Sequence, residues 1–171
     1  DPKFELPPEK RFYANLEGKT LAHSPEIRTN LAETLALLGN RYEALPNCTP
    51  GKPQGSALVA VREIFADSDW QLWGTLNHLL PTLAEAAPRE FIRAVESALA
   101  DPAGPFDELF KQEGEGLFGR DNYLTGLLWG LEALAWDEDL LARVCTVLAE
   151  LAERDPGGNW SNRPATSIAT I

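Results

Sequence analysis

The sequence has no methionine, two cysteines, two histidines, and far fewer basic than acidic side chains. Each shortage removes a class of protein. Cys48 sits in a Pro/Gly-rich stretch and Cys145 in a helical pattern, and a disulfide scaffold packs more cysteine into a shorter chain. Reduced thiols in a cytoplasm are expected. His23 and His78 lie in separate segments, and neither has a Cys or His three or four residues away, so no metal or other cofactor is expected. Fifteen Lys and Arg against twenty-six Asp and Glu leave a net charge of -11 with no basic cluster. Such a chain repels phosphate backbones, and nucleic acid is not an expected partner. No apolar run approaches the roughly 20 residues of a membrane-crossing helix, and there is no secretory leader pattern, so no membrane partner is expected either. The first residue is Asp1 rather than an initiator Met, and Asn162 to Ile168 reads as an ending without a terminal helix. A fragment of a longer protein is expected.

What is present is helix. Ser24-Pro25-Glu26 combines an N-cap hydroxyl, a proline suited to the first helical position and a carboxylate at the positive end of the helix dipole. Ile27, Leu31, Leu35 and Leu38 follow on one helical line and are expected to face the core, with Gly39-Asn40 as the stop. Pro7-Pro8-Glu9 opens a shorter helix before it. Residues 46–55 hold Pro46, Pro50, Gly51, Pro53 and Gly55, a density of breakers that predicts a linker loop. Ser56 would then cap a helix to about Phe65. Asp67-Ser68-Asp69 caps another that begins at Trp70, and Pro81 must kink or break it. Pro88 leads Phe91, Ile92, Val95 and Leu99. A short helix follows from Phe106 to Lys111, then helices capped by Asp121 and Asp137, the latter burying Leu140, Leu141, Val144, Val147, Leu148 and Leu151.

No stretch alternates as a strand does over more than about four residues, so the fold class is all-α. Helices joined by short connections predict an irregular stack of antiparallel helix pairs, HEAT- or armadillo-like, without a strict repeat period. Residues 1–45 form an N-terminal helical segment, and 56–171 the helical-repeat region, in one compact unit with the first. The size of 171 residues allows about two-thirds of the unfolded surface to be buried.

The segment from Tyr123 to Trp136 differs from the others. Leu124, Leu127, Leu128, Leu131 and Leu134 occupy one side, Gly126, Gly130 and Ala133 a second, and Thr125, Trp129, Glu132 and Trp136 a third. A helix apolar or small nearly all round is expected to be central, with the glycines marking a close helix–helix approach. On that expectation Trp129→Ala costs about 3–5 kcal/mol. Glu132 then needs a partner such as Arg163, Arg143 or Arg120, or else lies at an edge of the helix. The other reading is a binding groove in which Trp129 and Trp136 supply flat apolar area and Glu132 orients the bound group. In the turn-rich run from Asp155 to Pro164, Trp160 packs back and Arg163 pairs with a carboxylate, or both join that groove.

Other motifs lack context. Gly114-Glu115-Gly116-Leu117-Phe118-Gly119 matches a dinucleotide loop, but it follows a helical segment and carries carboxylates that would repel pyrophosphate. Gly51-Lys52 has Pro53 where a phosphate loop needs Ser or Thr. Glu132 with Glu85 or Asp137 would be the carboxylate pair of a helical carbohydrate-active or small-ligand enzyme.

Leu127-Leu128-Trp129-Gly130-Leu131-Glu132-Ala133-Leu134-Ala135-Trp136, followed by Asp155-Pro156-Gly157-Gly158-Asn159-Trp160-Ser161-Asn162-Arg163-Pro164, resembles an uncharacterised family of long bacterial proteins. The resemblance implies a helical region within a multidomain protein of ATPase-containing signalling or defence type, and maps no active residue onto this chain. The expected function is therefore a non-catalytic interaction or scaffold module, with a protein or other domains of the same polypeptide as partner.

Overall fold

The computed structural model describes residues 1–102, 104–112, 122–158 and 162–171. Every regular element among them is helical. Two 3-10 turns, Pro2–Glu5 and Pro8–Tyr13, open the chain. Helix α1 spans Pro25–Asn40, with the Ser24 hydroxyl accepting from the Ile27 N–H at 3.4 Å and Pro25 in the first turn. Helix α2 spans Lys52–Phe65 and begins earlier than its breakers imply. Gly51 adopts φ +77°, which turns the chain into the helix, and Pro53 falls in the first turn, where a missing N–H costs nothing. The irregular stretch is therefore shorter than 46–55.

Helix α3, Trp70–Leu76, is capped by Asp69, whose carboxylate accepts from the Leu72 N–H at 2.8 Å. Pro81 has no N–H for the carbonyl of Asn77, and there the helix tightens into a 3-10 turn, Asn77–Leu79, before α4 resumes over Leu80–Ala86. Helix α5 covers Pro88–Ala100 and α6 Pro105–Lys111. Helix α7 covers Thr125–Leu134 and α8 Leu141–Arg154. Asp137 does not cap α8; its carboxylate closes a turn onto the Asp139 N–H. The chain also has a terminal helix contrary to expectation, α9 over Pro164–Thr170, started by Pro164 in its first turn.

The contacts arrange these helices in two rows. α1 packs on α4 and α4 on α7, while α2 packs on α5 and α5 on α8. The rows are joined by α1 against α2, α4 against α5 and α7 against α8. α6 lies against α3 and α5, and α9 crosses α8 and α7. α4 is thus the middle of its row, and small residues set its spacing. A Cβ on Gly39 of α1 would lie 2.0 Å from the Ala86 carbonyl oxygen, and one on Gly126 of α7 would lie 1.6 Å from that of Asn77.

Close approach on this side also corrects the reading of α1. Its covered face carries Ala32 and Ala36, with Gly39 on the same side, whereas Ile27 and Leu31 are 52% and 62% exposed and Leu35 and Leu38 are half-buried. The leucine line that looked like the core face is largely uncovered.

The centre of the core is Trp73, fully buried. Its indole stacks on Phe65 with ring centroids 4.4 Å apart and meets Phe106 and Phe91 edge-on at 5.1 and 6.2 Å. Its N–H donates to the Ser68 hydroxyl at 2.9 Å, so no polar atom is stranded. Phe91, Ile92, Val95 and Leu99 of α5 are buried as their spacing predicts, as are Leu140, Val144, Val147, Leu148 and Leu151; Leu141 is exposed.

Ion pairs tie the second row together. Buried Glu90 of α5 accepts from Arg62 of α2 at 3.0 Å and from Arg93 at 2.6 Å. The hydrogen bond from Arg62 holds its carboxyl below the usual carboxylate range, against the opposing effect of burial. Arg143 of α8 grips Glu96 of α5 with two bonds, at 2.8 and 2.6 Å, which lowers the Glu96 carboxyl in the same way.

Candidate functional site

Of the five residues singled out in the sequence, helix α7 and the turn after it carry three, Trp129, Glu132 and Trp136. The leucine side of the helix is covered, with Leu124, Leu127, Leu128, Leu131 and Leu134 all buried; on the second side Gly126 and Gly130 are buried but Ala133 is exposed. The third side is open. Trp129 is 55% exposed, Glu132 is half-buried, and Trp136, in the turn just past the helix end, is 91% exposed. The expectation of a helix with no exposed face, and with it a core Trp129, is overturned. The reason is visible in the packing: the 3-10 turn at Asn77 sits against Gly126, and α4 against Gly130 through the Leu80 carbonyl and the Ala84 methyl, and this turns Trp129 to solvent. The glycine reading itself is supported by the same contacts.

Glu132 has no hydrogen bond or ion pair among the described residues. Arg143 is committed to Glu96, and Arg120 lies outside the described residues. Arg163 is buried and binds the Asp155 carboxylate at 2.8 Å and the Gly157 carbonyl at 2.7 Å, so it closes the turn before α9 and does not reach α7 as a partner of Glu132. Trp160 and the Gly114–Gly119 string also fall outside the described residues. Of the proposed groove, then, the structure brings together Trp129, Glu132 and Trp136 on one uncovered line and places Arg163 in a structural turn.

Sequence reasoning missed the cleft beside this line. A hollow of about 650 Å³ opens between the start of α1, the α3–α4 turn and the entry to α7. Pro25 and Arg28 form one wall, Asn77, His78 and Pro81 the floor, and Asn122, Tyr123, Thr125 and Trp129 the far wall; Asp1, Lys3, Leu21 and Asn162 close the rim. Its polar floor is built by amides. Asn77 accepts from the Gly126 N–H at 2.8 Å and donates to the Asn122 carbonyl at 3.2 Å, and Asn122 donates to that of Asn162 at 3.2 Å. Arg28 donates to the Thr75 carbonyl at 3.1 Å through one nitrogen. These residues come from five separated segments, so no local spacing could have joined them; the one local signal was Asn77 standing four residues before Pro81.

Compared with family models, curated proteins and solved structures, the chain matches none. Its geometry must therefore carry the functional reading. Among the described residues no three of His, Cys, Asp and Glu converge as a metal site requires. Cys48 and Cys145 are both exposed and unpaired. No helix among the described residues is long and apolar enough to cross a membrane. Neither Glu132, Glu85 nor Asp137 lines the cleft, whose one acidic residue among those described is Asp1. Glu85 accepts instead from Asn40 at 3.0 Å.

Proposed function

We propose that this chain is a non-catalytic interaction module of a larger, cytoplasmic bacterial protein, its helix pairs α1–α2, α4–α5 and α7–α8 forming a short irregular stack of HEAT or armadillo type. The observation that carries the reading is the exposure of two tryptophans on the open line of α7. Large aromatics on a surface are rare where nothing covers them, and tryptophan is the residue most often found anchoring protein interfaces. The occupant that fits is a protein segment, from a partner or another domain of the same polypeptide, that presents apolar side chains to the indoles and a basic side chain to Glu132. The charge of -11 and the run Asp137-Glu138-Asp139 just beyond Trp136 favour that sign. The exposed Ile27 and Leu31 of α1 support the same reading, since the end of a helical stack that faces water needs a polar outer surface. The resemblance to long bacterial multidomain proteins agrees with such a setting.

A photo-crosslinking amino acid, p-benzoylphenylalanine, placed at position 136 of the whole protein in its native cells tests this. One discrete adduct is expected, lost when Glu132→Arg reverses the charge between the indoles, and absent when the same group is placed at exposed position 150 of α8. No adduct at 136, or the same adduct from both positions, contradicts the docking reading.

A further inference from the structure

The cleft beside α7 gathers positive charge in a chain that has little of it. Lys3 and Arg28 both line it, with the His78 ring as a further hydrogen-bonding group. A second hollow that shares Lys3 and Pro25 with the first adds Arg11, and Lys19, which is paired with Glu5. Against these, Asp1 supplies the one described carboxylate in either hollow, and one of its oxygens is occupied by the Lys3 N–H at 3.0 Å. The surroundings are otherwise strongly acidic, at -11 over the chain. Segregating cations in a concave site whose walls are partly apolar focuses the field there and favours an anion. The shape adds a second requirement. The Trp129 indole, more than half exposed, lines the same cleft as Arg28 and offers a flat group an aromatic surface to lie on. A volume of about 650 Å³ lies within the range of roughly 300–1,000 Å³ typical of small-molecule sites.

We propose that this cleft binds a small planar organic carboxylate, with Arg28 as the principal contact to the carboxylate, Lys3 and His78 as further donors, and Trp129 stacking on the flat part. The guanidinium suits the role because only one of its nitrogens is engaged, by Thr75, and the others keep their donors for a ligand. The inference does not rest on the docking reading. Trp129 belongs to both surfaces, but Trp136 and Glu132 lie outside the cleft, and Arg28 and His78 lie outside the exposed line of α7.

The test uses the 171-residue chain and two probes of one shape, 1-naphthoate and the uncharged 1-naphthamide, followed by the NMR signals of the Trp129 indole and the His78 ring. Naphthoate is expected to saturate these signals, and naphthamide to bind about tenfold more weakly or worse, the loss of one hydrogen bond to a charged group. Arg28→Gln is expected to lower naphthoate affinity by about tenfold and Arg28→Lys by less, with Trp136→Ala leaving it unchanged. Should Arg28→Gln unfold the chain, Lys3→Gln, on the opposite rim, is expected to weaken naphthoate selectively over naphthamide. Failure to saturate below about 10 mM, equal binding of the two probes, or full affinity without Arg28 overturns the proposal.

Discussion

Trp73→Ala is expected to cost about 3–5 kcal/mol of stability, the range for a large aromatic removed from a core, and to leave a melting transition far below that of the parent chain. Trp73 is fully buried, and the void would be lined by Phe65, Phe91 and Phe106, rings from α2, α5 and α6. It would also remove the hydrogen bond that the indole N–H donates to the Ser68 hydroxyl. Trp129→Ala is the matched control. Its indole is more than half exposed, so its removal is expected to cost less than about 1 kcal/mol. Urea denaturation of both variants checks the pair, and equal losses would mean that the two tryptophans have been assigned the wrong environments.

Gly126→Ala is expected to be nearly as damaging although it adds a single methyl group. The new Cβ would sit 1.6 Å from the Asn77 carbonyl oxygen and 2.7 Å from its carbon, and backbone atoms cannot swing aside as a side-chain tip can. α7 must therefore shift away from the α3–α4 turn, breaking the bond from the Gly126 N–H to the Asn77 side chain and loosening the floor of the cleft. Overpacking of this kind costs about 1–3 kcal/mol and more where backbone must move, so about 3 kcal/mol is expected here. Gly55→Ala in α2 makes the comparison sharp. Nothing lies within 4 Å of that Cβ position, and alanine is the better helix former by about 1 kcal/mol. Calorimetry should show the melting temperature falling for the first variant and rising for the second; a Gly126→Ala chain as stable as its parent would refute the close approach of α7 to the 3-10 turn before α4.

Much of the architecture could be read from local chemistry. Ser24, Asp69 and Pro88 mark helix starts because capping and the first-turn tolerance of proline depend on neighbours in sequence alone. The break before Pro81 follows from a missing N–H, and the buried stripe of α5 from its period. The start of α2 was hidden because the left-handed turn at Gly51 carries the chain into the helix through residues that elsewhere prevent one.

What local chemistry does not hold is which side of an apolar helix faces inward. In α1 the choice went to Ala32, Ala36 and Gly39 rather than to the leucine line, since small residues let the backbone approach α4 closely. In α7 the same rule applied: the three sides were legible, and the glycines correctly marked close contact, but only the leucine side and the glycines are covered, which leaves Ala133 and the third side, with Trp129, Glu132 and Trp136, towards water. The cleft was less legible still, because Lys3, Arg28, His78 and Asn122 meet only through the packing of α1, α4 and α7.

The most direct test of the surface assignment on which the docking proposal stands is ¹⁹F NMR of the chain labelled with 5-fluorotryptophan, read with and without a soluble nitroxide. The Trp136 signal should broaden most, Trp129 next, and Trp73 least, leaving an uncovered aromatic line on α7 above a sealed aromatic core. Signals from Trp129 and Trp136 as protected as that of Trp73 would mean that the face of α7 is already filled within the folded chain, and the interaction surface would have to be sought elsewhere.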